Sequence, residues 1–229
     1  CVSVPSGTHE FAPLNLNRRK DLFMDKTSCY SYFAICSAGE IQNGVRTDCC
    51  ALCEETKTVT VYEGTNTGSV NAADLAEKEI ELNGANISLD SGVIESLGDQ
   101  SVTVSADKFD GDLGLTDEQL DQVGDSPIYD FKISGENGSV SEFGENSWVT
   151  ITLPYQLSKD EDVDSIAVWF ISNQCENEEC TNEECADPAH KLVSIKATYN
   201  NGYVTFKTNH FSYYTVTNLT PAERCALYG

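Results

Sequence analysis

The chain has 229 residues, 40% of them apolar, which is enough to bury a core and excludes a disordered protein. Against 37 Asp and Glu stand only 14 Lys and Arg, a formal charge of -23 at pH 7, so nucleic acid and anionic membranes would be repelled and neither is expected as a partner. Such a surface keeps a protein soluble at high local concentration and attracts divalent cations.

Residues 1–57 are cysteine-rich and irregular, with a basic patch at Arg18, Arg19 and Lys20 and only short apolar runs such as Tyr30-Ser31-Tyr32-Phe33-Ala34-Ile35. A segment of this kind cannot build much core alone and needs covalent staples. Near residue 57 the texture changes to alternating apolar and polar residues, which predicts strands at Thr58–Tyr62, Ile80–Leu82 and Ser101–Ser105. Further strands are predicted at Ile128–Ile133, Trp148–Leu153, Ile166–Ile171, Leu192–Tyr199, Tyr203–Lys207 and Phe211–Thr217, with Asn201-Gly202 as a tight hairpin turn. Two short helices are expected, around Ser91–Leu97 and Asp117–Val123, the second opened by Thr116 and Gln119 at capping-box spacing. The expectation is a mostly-β chain: a small disulfide-rich N-terminal subdomain over 1–57, an antiparallel β-sandwich with two short helices over 58–220, and a junction segment over 221–229. Strand edges at Thr58–Tyr62 or Phe211–Thr217 would accept a strand from a neighbour and build filaments by β-augmentation.

The ten cysteines, Cys1, Cys29, Cys36, Cys49, Cys50, Cys53, Cys175, Cys180, Cys185 and Cys225, are an even set and point to disulfides made in an oxidising, extracellular space. No apolar stretch is long enough to span a bilayer and no secretory signal is visible, so the expected form is mature or excised; a Cys1 exposed by signal cleavage would be a site for lipid. Cys49, Cys50 and Cys53, with Cys29 and Cys36, have spacings that would also suit zinc, although adjacent cysteines and an extracellular setting favour disulfides. The segment 175–185 repeats an Asn-Glu-Glu-Cys unit and holds three sulfurs, so at least one must pair outside it, with Cys225 or Cys1 or across subunits, or stay free.

Calcium is the one metal for which oxygen ligands gather: Asp107, Asp110 and Asp112, with Asp117 and Glu118, surround a Gly-rich bend. Gly114 arrives one position early for an EF-hand and no Glu closes the loop, so no cofactor is expected beyond that weak cation site. The only histidines are His9, His190 and His210, and neither a Gly-x-Ser-x-Gly elbow nor a His-Glu-x-x-His pair occurs, so an enzyme acting on a substrate is not expected. Tyr155, Trp148 or Tyr199 would form a stacking platform if the chain binds glycans or host surface proteins instead.

Several segments between Glu79 and Thr217 carry a resemblance. They are Leu115-Thr116-Asp117-Glu118-Gln119, Val123-Gly124-Asp125-Ser126-Pro127-Ile128-Tyr129-Asp130, Val149-Thr150-Ile151-Thr152-Leu153-Pro154-Tyr155, Ala167-Val168-Trp169-Phe170, and Val204-Thr205-Phe206 leading into His210-Phe211-Ser212-Tyr213-Tyr214. In order and spacing they resemble a β-sandwich module of large cell-surface and adhesin-type proteins of anaerobic Firmicutes. That resemblance implies a stalk, adhesin or matrix role, with adjacent modules or other copies of the chain as partners. Residues 1–53, through His9, Cys29, Tyr32-Phe33 and Cys36-Ser37-Ala38-Gly39, partly resemble the cysteine-rich knot that neighbours such modules, without the second Cys of its turn; residues 221–229 look like the junction to a next knot. His210-Phe211-Ser212 resembles the self-cleavage site of the function-to-find-type sandwich, which implies attack by Ser212 on the Phe211 carbonyl with His210 assisting proton transfer.

Overall fold

The computed structural model describes residues 36–37, 39–50, 56–159, 161–172, 192–220, 223 and 225. Cys1, Cys29, Cys53, Cys175, Cys180 and Cys185, the basic patch, His9 and the repeated Asn-Glu-Glu-Cys units lie outside the described residues.

Two sheets are built almost wholly from antiparallel neighbours. The first runs in the order β1 (Cys36–Ser37), β3 (Val45–Cys50), β4 (Thr56–Val61), β6 (Glu79–Leu82), β7 (Ala85–Leu89), β11 (Val149–Pro154), β15 (Tyr203–Thr208), β14 (Ala197–Asn200), with β2 (Ile41–Gln42) also on β3. The second runs β13 (Leu192–Ile195), β12 (Ile166–Ile171), β16 (Tyr213–Asn218), β9 (Ile128–Gly135), β8 (Ser101–Phe109), β5 (Val70–Asn71), with β10 (Gly138–Val140) on β9. One pair departs from the antiparallel expectation: β4 and β6 run parallel, because the chain crosses back through β5 between them. Residue 57, where the sequence texture changes, lies inside β4, and β3 from the cysteine-rich segment pairs with that strand over five residues.

Alternation explains why these segments pair face to face. In β7 every second residue, Ala85, Ile87 and Leu89, is buried, and β11 does the same with Val149, Ile151 and Leu153. From the facing sheet come Val102, Val104 and Ala106 of β8, Tyr129, Phe131 and Ile133 of β9, and Tyr214 and Val216 of β16, and all join one apolar core with the first set. The chain is thus mostly β, two sheets closed on a shared interior. β12 is apolar at every position and buried on both faces; its outer face, Ala167 and Trp169, packs with Leu219, and Trp169 Nε1 donates to Thr217 Oγ1 at 2.8 Å.

Two helices occupy the expected places. Helix α1 (Ser91–Leu97) is capped by Asp90, whose Oδ1 accepts from Val93 N at 2.9 Å while its Oδ2 accepts from Trp148 N at 2.8 Å, so one carboxylate ties the helix start to the start of β11. Helix α2 (Asp117–Val123) has the full capping box of Thr116 and Gln119. Among the described residues no helix is long and apolar enough to cross a membrane.

On the outer face of the first sheet, Arg46 of β3 grips Asp48 on its own strand and Glu81 two strands away on β6, and Lys57 of β4 pairs with Glu79. Burial works against the Arg46 charge, yet the two carboxylates outweigh it and hold the guanidinium pKa above its usual value. Three Asn-Gly pairs make two-residue hairpins with both residues in the left-handed region: Asn43-Gly44, Asn83-Gly84 and Asn201-Gly202.

Neither strand expected to offer an open edge does so. β4, which covers most of Thr58–Tyr62, lies between β3 and β6, and β16, which holds most of Phe211–Thr217, lies between β12 and β9, so neither is the edge strand of its sheet, although β6 joins β4 only over Val59–Val61 and β9 joins β16 only over Tyr213–Thr215. The edges fall elsewhere. β13 ends one sheet and β14 ends the other, and only Lys196 separates them, so a single stretch turns the corner from sheet to sheet. On the far side the outer edge of β8 is covered by residues 65–72, through Ala106 N to Thr65 O (2.8 Å), Thr67 N to Val104 O (3.0 Å) and β5.

Candidate functional site

The His210-Phe211-Ser212 segment forms the corner between β15 and β16. Its geometry is set by Tyr214, whose hydroxyl donates to the His210 carbonyl at 2.8 Å and sits 2.8 Å from Thr208 Oγ1, itself 3.0 Å from the same carbonyl. A buried tyrosine reaching back four residues to the main chain is the tyrosine corner of sandwich folds. The His210 ring stacks edge-on against Phe170 (4.2 Å), and its Nδ1 lies 3.0 Å from Asn209 Oδ1. Phe211 N donates to Ser141 O (2.8 Å), and its ring is buried against Phe131 and Phe143. The Ser212 carbonyl accepts from Phe131 N (3.0 Å), and Ser212 Oγ donates to the Ile171 carbonyl at 3.4 Å. None of the three residues has a left-handed φ.

The calcium candidates are spread along one arm. Asp107 is in β8 opposite Asp130, Asp110 follows the strand, and Asp112 Oδ1 accepts from Gly114 N at 2.7 Å in a local turn. Among the described residues no group of three or more His, Cys, Asp or Glu side chains converges to hold a metal. Asp130 instead pairs with Lys132, whose pKa that contact raises. Of the cysteines in the described residues, Cys36 is the backbone partner of Cys50 and Ser37 that of Cys49 across β1 and β3, while Cys49 carries an exposed thiol and Cys225 is also exposed.

The three aromatics proposed as a platform do not share a surface. Trp148, 41% exposed, precedes β11 and Tyr155 follows it, so six residues of strand at about 3.3 Å each put the two at opposite ends of the sandwich. Tyr155 stands instead with Tyr199, whose phenol is near enough to contribute to the raised pKa of Tyr155. Its backbone N donates to Gly202 O (2.7 Å), and its hydroxyl donates to Glu161 Oε1 at 3.3 Å. Burial first, then the Glu161 charge, push the Tyr155 phenol up to about 12, so it remains a hydrogen-bond donor at neutral pH.

Tyr155 also borders the cleft that the alternation pattern could not disclose, an opening of about 380 Å³ where the sheets part. Pro154 and Tyr155 bring the first sheet to it, Tyr129 and Val216 the second, and Asp125 and Glu161 reach it from loops. No protein-family model matches the chain, and no curated protein sequence does.

Proposed function

We propose that this chain is an extracellular structural and adhesive module of a cell-surface or filament-forming protein, stapled by disulfides and not catalytic. The observation that supports it best is how the sheets end. Each terminal strand at the Lys196 corner is four residues long, residues 65–72 cover the outer edge of β8, and the first sheet ends on the two-residue strands β1 and β2, so the described edges are short and offer little template for strand addition. A charge of -23 adds mutual repulsion between copies. Such a unit is suited to stand in series with adjacent modules or further copies of itself, joined through its cysteine-bearing ends rather than through open strands.

On this reading one staple joins Cys36 and Cys50, which are backbone partners across β1 and β3, a pairing whose Cα separation a disulfide can span. Alkylating the chain under denaturing conditions as it is isolated from its source, without reductant, is the test. The expected result is alkylation confined to a minority of the cysteines, Cys49 among them, and either one compact species or a ladder that collapses on reduction. A chain whose ten cysteines are all alkylated would remove the disulfide part of the proposal.

A further inference from the structure

We infer that the cleft beside Tyr155 seats a cationic side chain, a lysine or arginine presented by a partner protein. The lining joins two kinds of surface. Tyr155 and the prolines, with the largely buried Tyr129 and Val216 in the wall, offer apolar contact, while Asp125 and Glu161 bring two carboxylates, and among the described residues no Lys, Arg or His lines the opening. Glu161 is held in place by neutral donors, Tyr155 Oη to one oxygen (3.3 Å) and Ser158 N to the other (2.7 Å), so its position is fixed while its charge is not cancelled.

Among the described residues the ion pairs engage Arg46, Lys57 and Lys132, all with other carboxylates. Lys108 Nζ lies 5.9 Å from the Tyr129 ring centroid and makes no ion pair with Asp125 or Glu161, so the two carboxylates keep their charge beside it. An anionic ligand would meet two like charges, and a wholly apolar one would strip water from Glu161 with nothing in exchange. An ammonium or guanidinium on a hydrocarbon stem satisfies both halves of the lining, head to carboxylate and stem to ring and proline. The net charge of -23 steers basic segments toward the surface before they reach the cleft.

The test titrates the full chain with Nα-acetyl-lysine amide and Nα-acetyl-arginine amide, with Nα-acetyl-norleucine amide as the uncharged counterpart and methyl glucoside as a neutral sugar, following amide chemical shifts at low salt. The cationic probes are expected to perturb residues 125–129 and 155–161 in a saturable, salt-sensitive way, with norleucine at least about fivefold weaker, and the Asp125→Asn/Glu161→Gln variant is expected to lose roughly tenfold in affinity, one step of about 1.4 kcal/mol. Asp125→Asn alone changes an exposed side chain and keeps the test open if the double variant is unstable; it should lose part of the same affinity. Equal binding of norleucine, binding of the glucoside without the cations, or no saturable shift at the cleft would each overturn the assignment.

Discussion

Phe131→Ala is expected to destabilise the chain by about 3–5 kcal/mol, read as a lowered urea midpoint with little change in slope. Phe131 is 1% exposed and stands at the centre of the core, with the rings of Tyr129, Phe211 and Tyr214 each about 6.0 Å away. Those neighbours come from β9, from the corner before β16 and from β16 itself, so a cavity there loosens the contact between strands as well as removing apolar area. The backbone N–H of Phe131 still donates to Ser212 O in the variant, which isolates the loss to the ring. Against a total stability of roughly 5–15 kcal/mol, such a loss brings the chain near unfolding. Tyr203→Ala, at a position 46% exposed, should change the stability by less than about 0.5 kcal/mol and serves as the comparison.

Tyr214→Phe keeps the ring and removes one hydroxyl, and about 1–3 kcal/mol of stability is expected to go with it. That hydroxyl is buried between the His210 carbonyl and Thr208 Oγ1, both at 2.8 Å, so its loss leaves the carbonyl with Thr208 Oγ1 as its remaining side-chain donor, in a place water cannot easily reach. Because Thr208 shares the carbonyl, Thr208→Ala and Tyr214→Phe should not add in the double variant. The same group gives a pH signature. Burial holds the Tyr214 pKa above its ordinary value, with Thr208 opposing the shift, and Tyr155 and Tyr129 are raised as well. A raised folded pKa stabilises the fold fully below the unfolded value of about 10 and loses that contribution as pH climbs through the folded value. Stability should therefore be flat with respect to these groups below about pH 9 and fall above pH 10, more gently in Tyr214→Phe than in the wild type.

Much of this architecture can be read from residue order, and the exceptions have physical causes. Ile166–Ile171 is a strand at its predicted bounds because an unbroken apolar run has nowhere to go but the interior. Helices α1 and α2 start and stop as expected because their caps are local: Asp90 and Thr116 at the front, Gly98 and Gly124 with left-handed φ behind. The stretch from Leu192 to Tyr199 reads as one strand, yet it breaks at Lys196, since its halves belong to different sheets and that choice is tertiary. β7 is missed because Asn86 and Ser88 face outward and read as turn chemistry, although Asn83-Gly84 marks the hairpin that starts it. The strands among the first cysteines are hidden by composition that signals staples rather than pairing.

The candidate cleft was legible only at Tyr155. Asp125 and Glu161 are two of 37 acids, distant from each other in sequence and on loops, and only the meeting of β9, β11 and β16 at one end brings them to the same opening. The positions of the edges could not be anticipated either, because an edge is a property of sheet order and not of one strand's residues.

The central claim concerns where and as what the chain works, and labelling intact cells of its source tests it most directly. An antibody raised against the folded chain should mark unpermeabilised cells or their surface filaments, and brief external protease should strip the signal. A signal that appears only after permeabilisation and survives protease would place the chain inside the cell and contradict the account.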